Sequence, residues 1–223
     1  RTQVRVEDLD GTQAWRACTR MLIGVGLGPG DAGLLTLKAV EILRAADTVF
    51  VPGGIALELV RPYANTIVTL EFPMTLDESV ITACMQRNAE KILPAAKTGT
   101  AVFGLIGDPN YYSTFSRLAG MVQEMYPELE VSTVPGISSI TAVASHANIP
   151  VNGAFLVTDG PLEPETKILM KVTHPLERAE ELRNEGFNNF IVVERMYMDG
   201  ETVYTGELPE KTNYFSILIA RKI

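Results

Sequence analysis

The sequence predicts an α/β fold of two domains, an N-terminal domain on a mostly parallel sheet with helices and a C-terminal domain on a mixed sheet with fewer helices. Up to about residue 148, short apolar runs alternate with segments of helical period, which is the pattern of β-α-β units. Beyond that point β-branched runs dominate, and one segment alone has a clear helical pattern. A length of 223 residues is sufficient for two hydrophobic cores.

The predicted domain boundaries are residues 21–148 and 149–223. Between the two patterns lies the segment 148–153, which is rich in Asn, Pro and Gly and typical of a linker. Residues 1–20 are polar, carry both signs of charge and lack the apolar middle of a secretory signal. We therefore expect them to be an N-terminal extension outside the fold, with a genuine N-terminal arm as the alternative.

Five strands alternate with helices in the predicted first domain. The strands are expected at 21–25, 47–51, 67–70, 100–106 and 130–134, and the helices at 36–46, from Thr75 to about 95, 114–125 and 138–146. Polar residues that commonly cap helices precede each helix, and they are Thr36, Thr75 (with Glu78 as a capping box), Ser113 and Ser138. This regular alternation favours a parallel sheet covered on both faces.

The predicted second domain has five strands and one helix. The strands are expected at 154–158, 167–172, 189–196, 201–204 and 214–221, and the helix at 176–185. Strands that follow one another without helices between them indicate a sheet that is at least partly antiparallel.

Composition excludes several classes of protein. With 19 basic against 27 acidic residues the formal charge is -8, which argues against nucleic acid as a partner. Cys18 and Cys84 are too few for a disulfide framework and have no neighbours at zinc-ligand spacing, so we expect no metal site and a reducing, cytoplasmic setting. No apolar run approaches the roughly 18 residues of a membrane span, so no membrane partner is expected.

Three predicted strands run into loops of Gly and Pro that precede helices. The loops are 24–31, 107–109 and 135–139, and in a parallel sheet they meet at the carboxyl ends of the strands, where ligands bind. The first loop fails the dinucleotide fingerprint in both reading frames, since Pro29 or Asp31 stands where the third glycine belongs. No Gly-Lys-Ser/Thr follows it either, which excludes a phosphate-binding loop of that type.

Polar and aromatic residues in these loops are the candidates for ligand contact. Asp108 follows an apolar strand directly and either accepts hydrogen bonds from a ribose or an ammonium group, or caps its own turn through Pro109. Tyr112 is either an aromatic residue that lines the ligand site or a residue of the hydrophobic core. Ser138 and Ser139 serve either as helix caps or as ligand contacts. No Ser-His-Asp or Cys-His set is evident.

Taken together, the loops resemble those of the tetrapyrrole methylases, a family of S-adenosylmethionine-dependent enzymes. The resemblance covers residue 21 to the end, and within the family it is closest to the branch that methylates C-20 of precorrin-2 or cobalt-factor II. It depends on four stretches, which are 28–39, 72–77, 107–115 and 134–139. The Pro-Met-Thr and Tyr-Ser-Thr-Phe pieces indicate the C-20 branch, whereas the glycine loops indicate the family alone.

The resemblance implies a cofactor, a reaction and a set of residues. It implies that S-adenosyl-L-methionine is held, largely by backbone groups, between two α/β domains of a homodimeric enzyme of cobalamin biosynthesis. The cofactor contacts that it implies are Pro29, Ile106, Gly107, Asp108, Tyr112, Ser138, Ser139, Ile140 and, in the second domain, Met170. A catalytic base is not assigned, and Asp108, Tyr112 and Glu71 are its candidates.

Three other functions remain open from the sequence. The nearest is another methylase of the same family, acting at a different ring position or, as in diphthine synthase, on a protein. A second is a non-catalytic module that binds a tetrapyrrole or a nucleotide, for which the missing catalytic triad would be natural. A nicotinamide-dependent oxidoreductase is weaker, because the dinucleotide fingerprint fails.

Overall fold

The computed structural model of the protein describes residues 20–153, 155–157 and 163–223. Contacts divide the chain into two compact units, with the division between Phe155 and Leu156. The predicted domains, 21–148 and 149–223, stay a prediction. Nearly all of the predicted extension 1–20 lies outside the described residues, as does Cys18.

The first unit is built on a five-stranded sheet in which every pairing is parallel. The strand order is β3-β2-β4-β1-β5, with β1 and β4 in the interior. The bounds are β1 Met21–Gly26, β2 Thr48–Val51, β3 Ile67–Thr69, β4 Thr100–Leu105 and β5 Glu130–Val134. All five predicted strands of the first domain are present, each within one or two residues of its predicted ends.

Four α-helices connect these strands, and a fifth follows β5. Their bounds are α1 Leu37–Ala45, α2 Gly54–Val60, α3 Glu78–Thr98, α4 Phe115–Met125 and α5 Ser139–His146, and a short 3-10 helix, Ala32–Leu34, precedes α1. The apolar faces of α1 and α2 belong to one core cluster and those of α3 and α4 to a second. Both faces of the sheet are therefore covered, as the apolar strands predict.

Strand β1 shows how the sequence builds both cores at once. Met21, Ile23 and Val25 belong to one cluster, whereas Leu22 belongs to the other. This follows from the period of two in a strand, which directs successive side chains to opposite faces of the sheet. All six residues of β1 are buried, which explains why its sequence is uniformly apolar or glycine.

Two of the four predicted helix caps are confirmed, because the Thr36 side-chain oxygen accepts a hydrogen bond from the Ala39 amide at 3.0 Å and the Ser138 oxygen accepts one from Ile140. Ser113 lies one residue before Thr114, the cap residue of α4, and its hydroxyl accepts from the amide of Phe115. The prediction that Thr75 and Glu78 form a capping box is wrong. Asp77 caps α3 instead, because its carboxylate is an acceptor for the amides of both Ser79 and Val80 and the hydroxyl of Ser79.

Helix α2 was not predicted from the sequence. It is short and begins at a Pro-Gly-Gly stretch, which is typical of a turn. The two glycines have φ angles of 85° and 55°, in the left-handed region that residues with a Cβ rarely adopt. Gly53 and Gly54 therefore reverse the chain between β2 and α2, and this accounts for the glycine content of the segment.

Within its described residues, the second unit contains a four-stranded sheet in the order β6-β9-β7-β8 and one helix. The strands are β6 Thr166–Met170, β7 Asn189–Glu194, β8 Thr202–Thr205 and β9 Ser216–Arg221, and the helix is α6 Pro175–Asn184. All described pairings are antiparallel. The described part of this sheet is therefore antiparallel, not mixed as the sequence predicted. These elements and those of the first unit confirm the predicted α/β class.

One predicted strand of this region is not found. Residues 154–158 were expected to be extended and paired, but Phe155–Val157 belong to no strand, and 154 and 158 lie outside the described residues. The strand was predicted from the apolar sequence of this segment. The side chains of Phe155, Leu156 and Val157 are all exposed, so they are not strand residues packed in a core.

The core of the second unit lies on one face of its sheet. Phe190, Val192, Leu218 and Ala220 of β7 and β9 pack with residues of α6 and with Phe187. The alternate residues of these strands are less buried, so the other face is not part of this cluster. In the part of the chain that the structure describes, no helix is both long enough and apolar enough to cross a membrane.

Candidate active site

The three predicted ligand loops follow three neighbouring strands, β4, β1 and the edge strand β5, of the first sheet. Strand β1 lies between β4 and β5, and all three run in the same direction. Their carboxyl ends therefore meet at one edge, which we call the carboxyl edge. The loops that begin there are 27–36, 106–114 and 135–138, and the sequence prediction that they come together is correct.

Backbone hydrogen bonds join the first loop to the second. The amide of Gly107 donates to the carbonyl of Gly28 at 2.8 Å, and the amide of Gly28 donates to the carbonyl of Gly107 at 3.4 Å. The amide of Leu27 also donates to the carbonyl of Leu105 at 2.8 Å. This pairing extends beyond the ends of β1 and β4, and it fixes the two loops relative to each other.

Glycine allows the third loop to approach the other two. A Cβ placed on Gly136 would lie 2.2 Å from the carbonyl oxygen of Gly107 and 2.6 Å from the carbonyl carbon of Gly26. A Cβ on Gly26 would lie 2.5 Å from the amide nitrogen of Gly136. Because these neighbours are backbone atoms, any side chain at either position would push the loops apart.

Asp108 connects the second loop to the third through its side chain. One carboxylate oxygen accepts from the amide of Asn110 at 2.8 Å and the other from the amide of Gly136 at 3.1 Å. The residue is only 7% exposed. Of the two roles predicted for Asp108, capping of its own turn is observed, and the bond to Gly136 is an additional contact between loops.

Sequence reasoning did not identify Asn110 as part of this network. Its side-chain nitrogen donates to the Thr133 hydroxyl at 3.0 Å, which ties the second loop to strand β5. Asn two residues after Asp in Asp-Pro-Asn is a common turn signal, but its partner is 23 residues away. No local pattern contains that information.

The groups exposed at this edge include apolar, aromatic and hydroxyl side chains. Ile106 is 40% exposed, and Tyr112 is 67% exposed with a left-handed φ of 49°. Ser139 is exposed, whereas the Ser138 hydroxyl is an acceptor for the Ile140 amide and so acts as a cap. The predicted contacts that lie in the three loops or at the start of α5 are Pro29, Ile106, Gly107, Asp108, Tyr112, Ser138, Ser139 and Ile140.

Two predicted residues lie away from these loops. Glu71 follows β3, which is two strands from β4, so the ends of the two strands are separated by about 10 Å along the edge. Met170 is the last residue of β6 in the second unit and is 71% exposed. Met170 is therefore not part of the core of the second unit.

The arrangement suits a small ligand held by backbone groups. Three loops are closely joined, their glycines leave no room for side chains, and Ile106 and Tyr112 offer apolar and aromatic surface beside them. These features fit S-adenosylmethionine, in which an adenosine is joined to an amino acid through a sulfonium. No group of three or more His, Cys, Asp or Glu side chains is placed to hold a metal ion within the described ranges.

Similarity to known proteins identifies the family to which the chain belongs. A sequence model of the Tetrapyrrole (Corrin/Porphyrin) Methylases matches residues 21–212, which include all three loops. The chain belongs to the tetrapyrrole methylase family. The resemblance proposed from the four sequence stretches is thus confirmed.

Individual members of the tetrapyrrole methylase family are similar along most of the chain. A protein of Methanocaldococcus jannaschii named "Probable cobalt-precorrin-2 C(20)-methyltransferase" is 34% identical over 91% of this chain and 96% of its own length. "Precorrin-2 C(20)-methyltransferase" of a Sinorhizobium species is 27% identical over 89% of this chain and 94% of its own. Among solved structures, a cobalamin-synthesis-related protein (CobF) from Corynebacterium diphtheriae has a TM-score of 0.53 at 13% identity, covering 92% of this chain and 99% of its own, a likeness of fold alone.

Proposed function

We propose that this tetrapyrrole methylase transfers a methyl group from S-adenosyl-L-methionine to C-20 of precorrin-2 or of its cobalt-loaded counterpart. The observation that carries the proposal is the similarity over nearly the whole chain to a relative named for C(20) methylation of cobalt-precorrin-2. A second relative is named for the same position on the metal-free ring. This favours the C-20 branch over the alternatives within the family, including diphthine synthase.

The joined loops support a mechanism based on positioning. The sulfonium of the cofactor supplies an activated methyl group, so the protein needs no strong nucleophile of its own. The Gly28–Gly107 pairing and the bond from Gly136 to Asp108 hold the loops in one arrangement. Bringing donor and acceptor carbons into line in this way is worth several kcal/mol, up to about 7–11 in favourable intramolecular cases.

Removal of the proton from the methylated carbon calls for a base of moderate strength. Asp108 is a weaker candidate for this role than the sequence indicated, because both of its oxygens already accept backbone hydrogen bonds. We assign it to holding the loops. The exposed residues Tyr112 and Glu71 are the remaining candidates, and we expect Tyr112→Phe or Glu71→Gln to lower kcat without changing the Kd for S-adenosyl-L-methionine if either is the base.

Met170 is proposed as the cofactor contact from the second unit, as the resemblance implies. Its exposure at the end of β6 leaves the thioether accessible. A homodimer in the cytoplasm likewise remains the expectation from the sequence.

The direct test offers several acceptors to the purified protein side by side. Precorrin-2, its cobalt-loaded form, uroporphyrinogen III and translation elongation factor are each incubated with S-adenosyl-L-methionine carrying a labelled methyl group. We expect label in precorrin-2 or its cobalt form and none in the other two. Label in uroporphyrinogen III or in the elongation factor would instead support one of the other methylases, and binding without transfer to any acceptor would support a non-catalytic module.

A further inference from the structure

Large apolar side chains are exposed along the carboxyl edge, beyond the three joined loops. They follow four successive strands of the sheet, and we call them the apolar rim: Leu37, Ile55, Met74, Leu76 and Ile106. Met74 and Leu76 are fully solvent-exposed, at 102% and 98%. Single exposed apolar residues are ordinary, but a cluster along a ligand-binding edge indicates a binding surface.

The rim is continuous with the proposed methyl-donor site. Its members follow β3, β2, β4 and β1, which are adjacent in that order, so the rim extends over about 14 Å. Ile106 belongs both to the rim and to the three joined loops. At the first loop, a Cβ on Gly30 would be 3.9 Å from a methyl carbon of Ile55. An acceptor that rests on the rim therefore lies beside the donor, as a direct transfer requires.

The loop that carries Met74 and Leu76 is held at both ends. At its start, the Asn88 side-chain nitrogen and the Cys84 thiol of α3 both donate to the carbonyl of Glu71, at 2.8 and 2.9 Å. At its end, Asp77 caps α3, and its amide donates to the Thr75 hydroxyl at 3.1 Å. The two apolar side chains are thus presented to solvent by a constrained loop.

Charge restricts what the rim can bind. The five segments from the end of a strand to the start of the next helix, 27–36, 52–53, 70–77, 106–114 and 135–138, contain three exposed acidic residues, the buried Asp108 and no Lys or Arg. Lys38, which follows Leu37 of the rim, is paired with Glu41. Such a surface repels carboxylates and phosphates. It suits an uncharged, flat, apolar group, and a tetrapyrrole has one in the face of its macrocycle, since its carboxylates are at the periphery.

We infer that the apolar rim binds the face of the tetrapyrrole macrocycle, with Met74 and Leu76 as the main contacts that the acceptor buries. This inference rests on the proposed function for the identity of the acceptor. The carboxylates of the substrate are directed away from these five segments.

The test measures binding of the acceptor separately from methyl transfer. The double variant Met74→Ser/Leu76→Ser is titrated with precorrin-2 and its cobalt form by absorption, and with S-adenosyl-L-methionine by calorimetry. We expect the Kd for the tetrapyrrole to rise by about tenfold per side chain, since each loses its apolar burial. The Kd for S-adenosyl-L-methionine and the Tm should be unchanged, because both side chains are fully exposed in the free protein.

Two controls separate loss of apolar contact from other effects. The exchange Met74→Leu/Leu76→Met keeps the apolar surface and should restore the tetrapyrrole Kd to within about twofold. Ile223→Ser removes an equally apolar, exposed side chain at the end of the second unit and should change neither Kd.

Two outcomes would overturn the inference. One is an unchanged tetrapyrrole Kd in the double variant, and a sedimentation coefficient that is altered as well would mean that a second copy of the chain covers the rim. The other is a drop in Tm, which would mean that the rim is buried within the chain. Failure of the proposed function would give a different result from failure of this inference. The wild-type protein would then transfer no methyl group, whatever the values of these binding constants.

Discussion

At the scale of single residues, the candidate site depends on two glycines, Gly26 and Gly136, and on the buried carboxylate of Asp108. Gly26 and Gly136 allow two loops to meet at the carbonyl of Gly107, at distances that exclude a Cβ. Asp108 then joins the second and third loops through backbone amides. The glycines and Asp108, which sequence motifs identify most readily, therefore determine the shape of the loops. Ile106 and Tyr112 are more exposed, and we expect them to contact the ligand.

We predict that Gly136→Ala separates the loops and abolishes tight binding of S-adenosyl-L-methionine. The new Cβ would overlap the Gly107 carbonyl oxygen, and relief of such overpacking costs about 1–3 kcal/mol. Calorimetry should show a Kd raised by at least tenfold, with a lower Tm. The matched control is Gly120→Ala in α4, where a Cβ meets nothing within 4 Å, and which should leave the Kd unchanged and stability equal or slightly higher.

A second prediction distinguishes the roles proposed for Asp108. In Asp108→Asn the side-chain NH2 faces a backbone amide, so one of two hydrogen bonds is lost at a cost of about 1–3 kcal/mol. If Asp108 positions the loops, the Kd for S-adenosyl-L-methionine rises about tenfold in the absence of acceptor. Loss of kcat with an unchanged Kd would show instead that Asp108 is the base. Asp31→Asn is the control, because Asp31 accepts from the Gly33 amide through Oδ1, which asparagine retains.

At the scale of secondary structure, hydrophobic period predicted the strands and helices of the first unit well. It succeeded because β1 and its neighbours are buried on both faces, and α1, α3 and α4 each have one apolar face. It failed where local signals were ambiguous. The sequence Pro52-Gly53-Gly54 is typical of a turn, so the start of α2 was not predicted. Thr75 and Glu78 match the capping-box pattern, but the helix is capped by Asp77, the residue directly before it.

The contacts between loops could not be predicted in the same way. The hydrogen bond from Asn110 to Thr133, and those from Cys84 and Asn88 to the Glu71 carbonyl, join residues 13 to 23 positions apart. They depend on strand order and on the packing of α3, which the sequence does not state locally. The position of the site at the carboxyl edge could be predicted because it requires only that the strands be parallel.

The Asp77 cap gives a prediction about pH. Hydrogen bonds, first from the Ser79 hydroxyl and then from the amides of Val80 and Ser79, lower the pKa of Asp77. A group whose folded pKa is depressed stabilises the fold above its unfolded pKa, and that contribution is lost as pH falls through the folded pKa. We expect Asp77→Ala to lower the Tm at pH 7, and the difference from wild type to shrink below about pH 4. Asp77→Asn, which keeps an acceptor, should retain most of the Tm at pH 7. An equal difference for Asp77→Ala at pH 3 and pH 7 would contradict this account of the cap.

At the scale of the whole molecule, the formal charge of -8 opposes an anionic substrate. The proposed acceptor carries many carboxylates, so attraction between net charges cannot recruit it. Apolar contact at the rim provides a short-range alternative that depends little on salt.

A prediction about ionic strength follows. Raising salt from about 0.01 M to 0.15 M shortens the screening length from about 30 Å to 8 Å and weakens the repulsion between enzyme and substrate. Steady-state assays should therefore give a KM for the tetrapyrrole that falls or stays constant over this range. A KM that rises with salt would mean that basic groups recruit the substrate, and that the rim is not its main contact.

The central claim is methyl transfer to C-20, and identification of the methylated carbon tests it most directly. The protein is incubated with S-adenosyl-L-methionine carrying a ¹³C methyl group and with precorrin-2, metal-free in one reaction and cobalt-loaded in the other. Mass spectrometry and NMR of the product should show one labelled methyl group, attached at C-20, in at least one of the two reactions. A label at another ring carbon, or no label in either product, would contradict the claim.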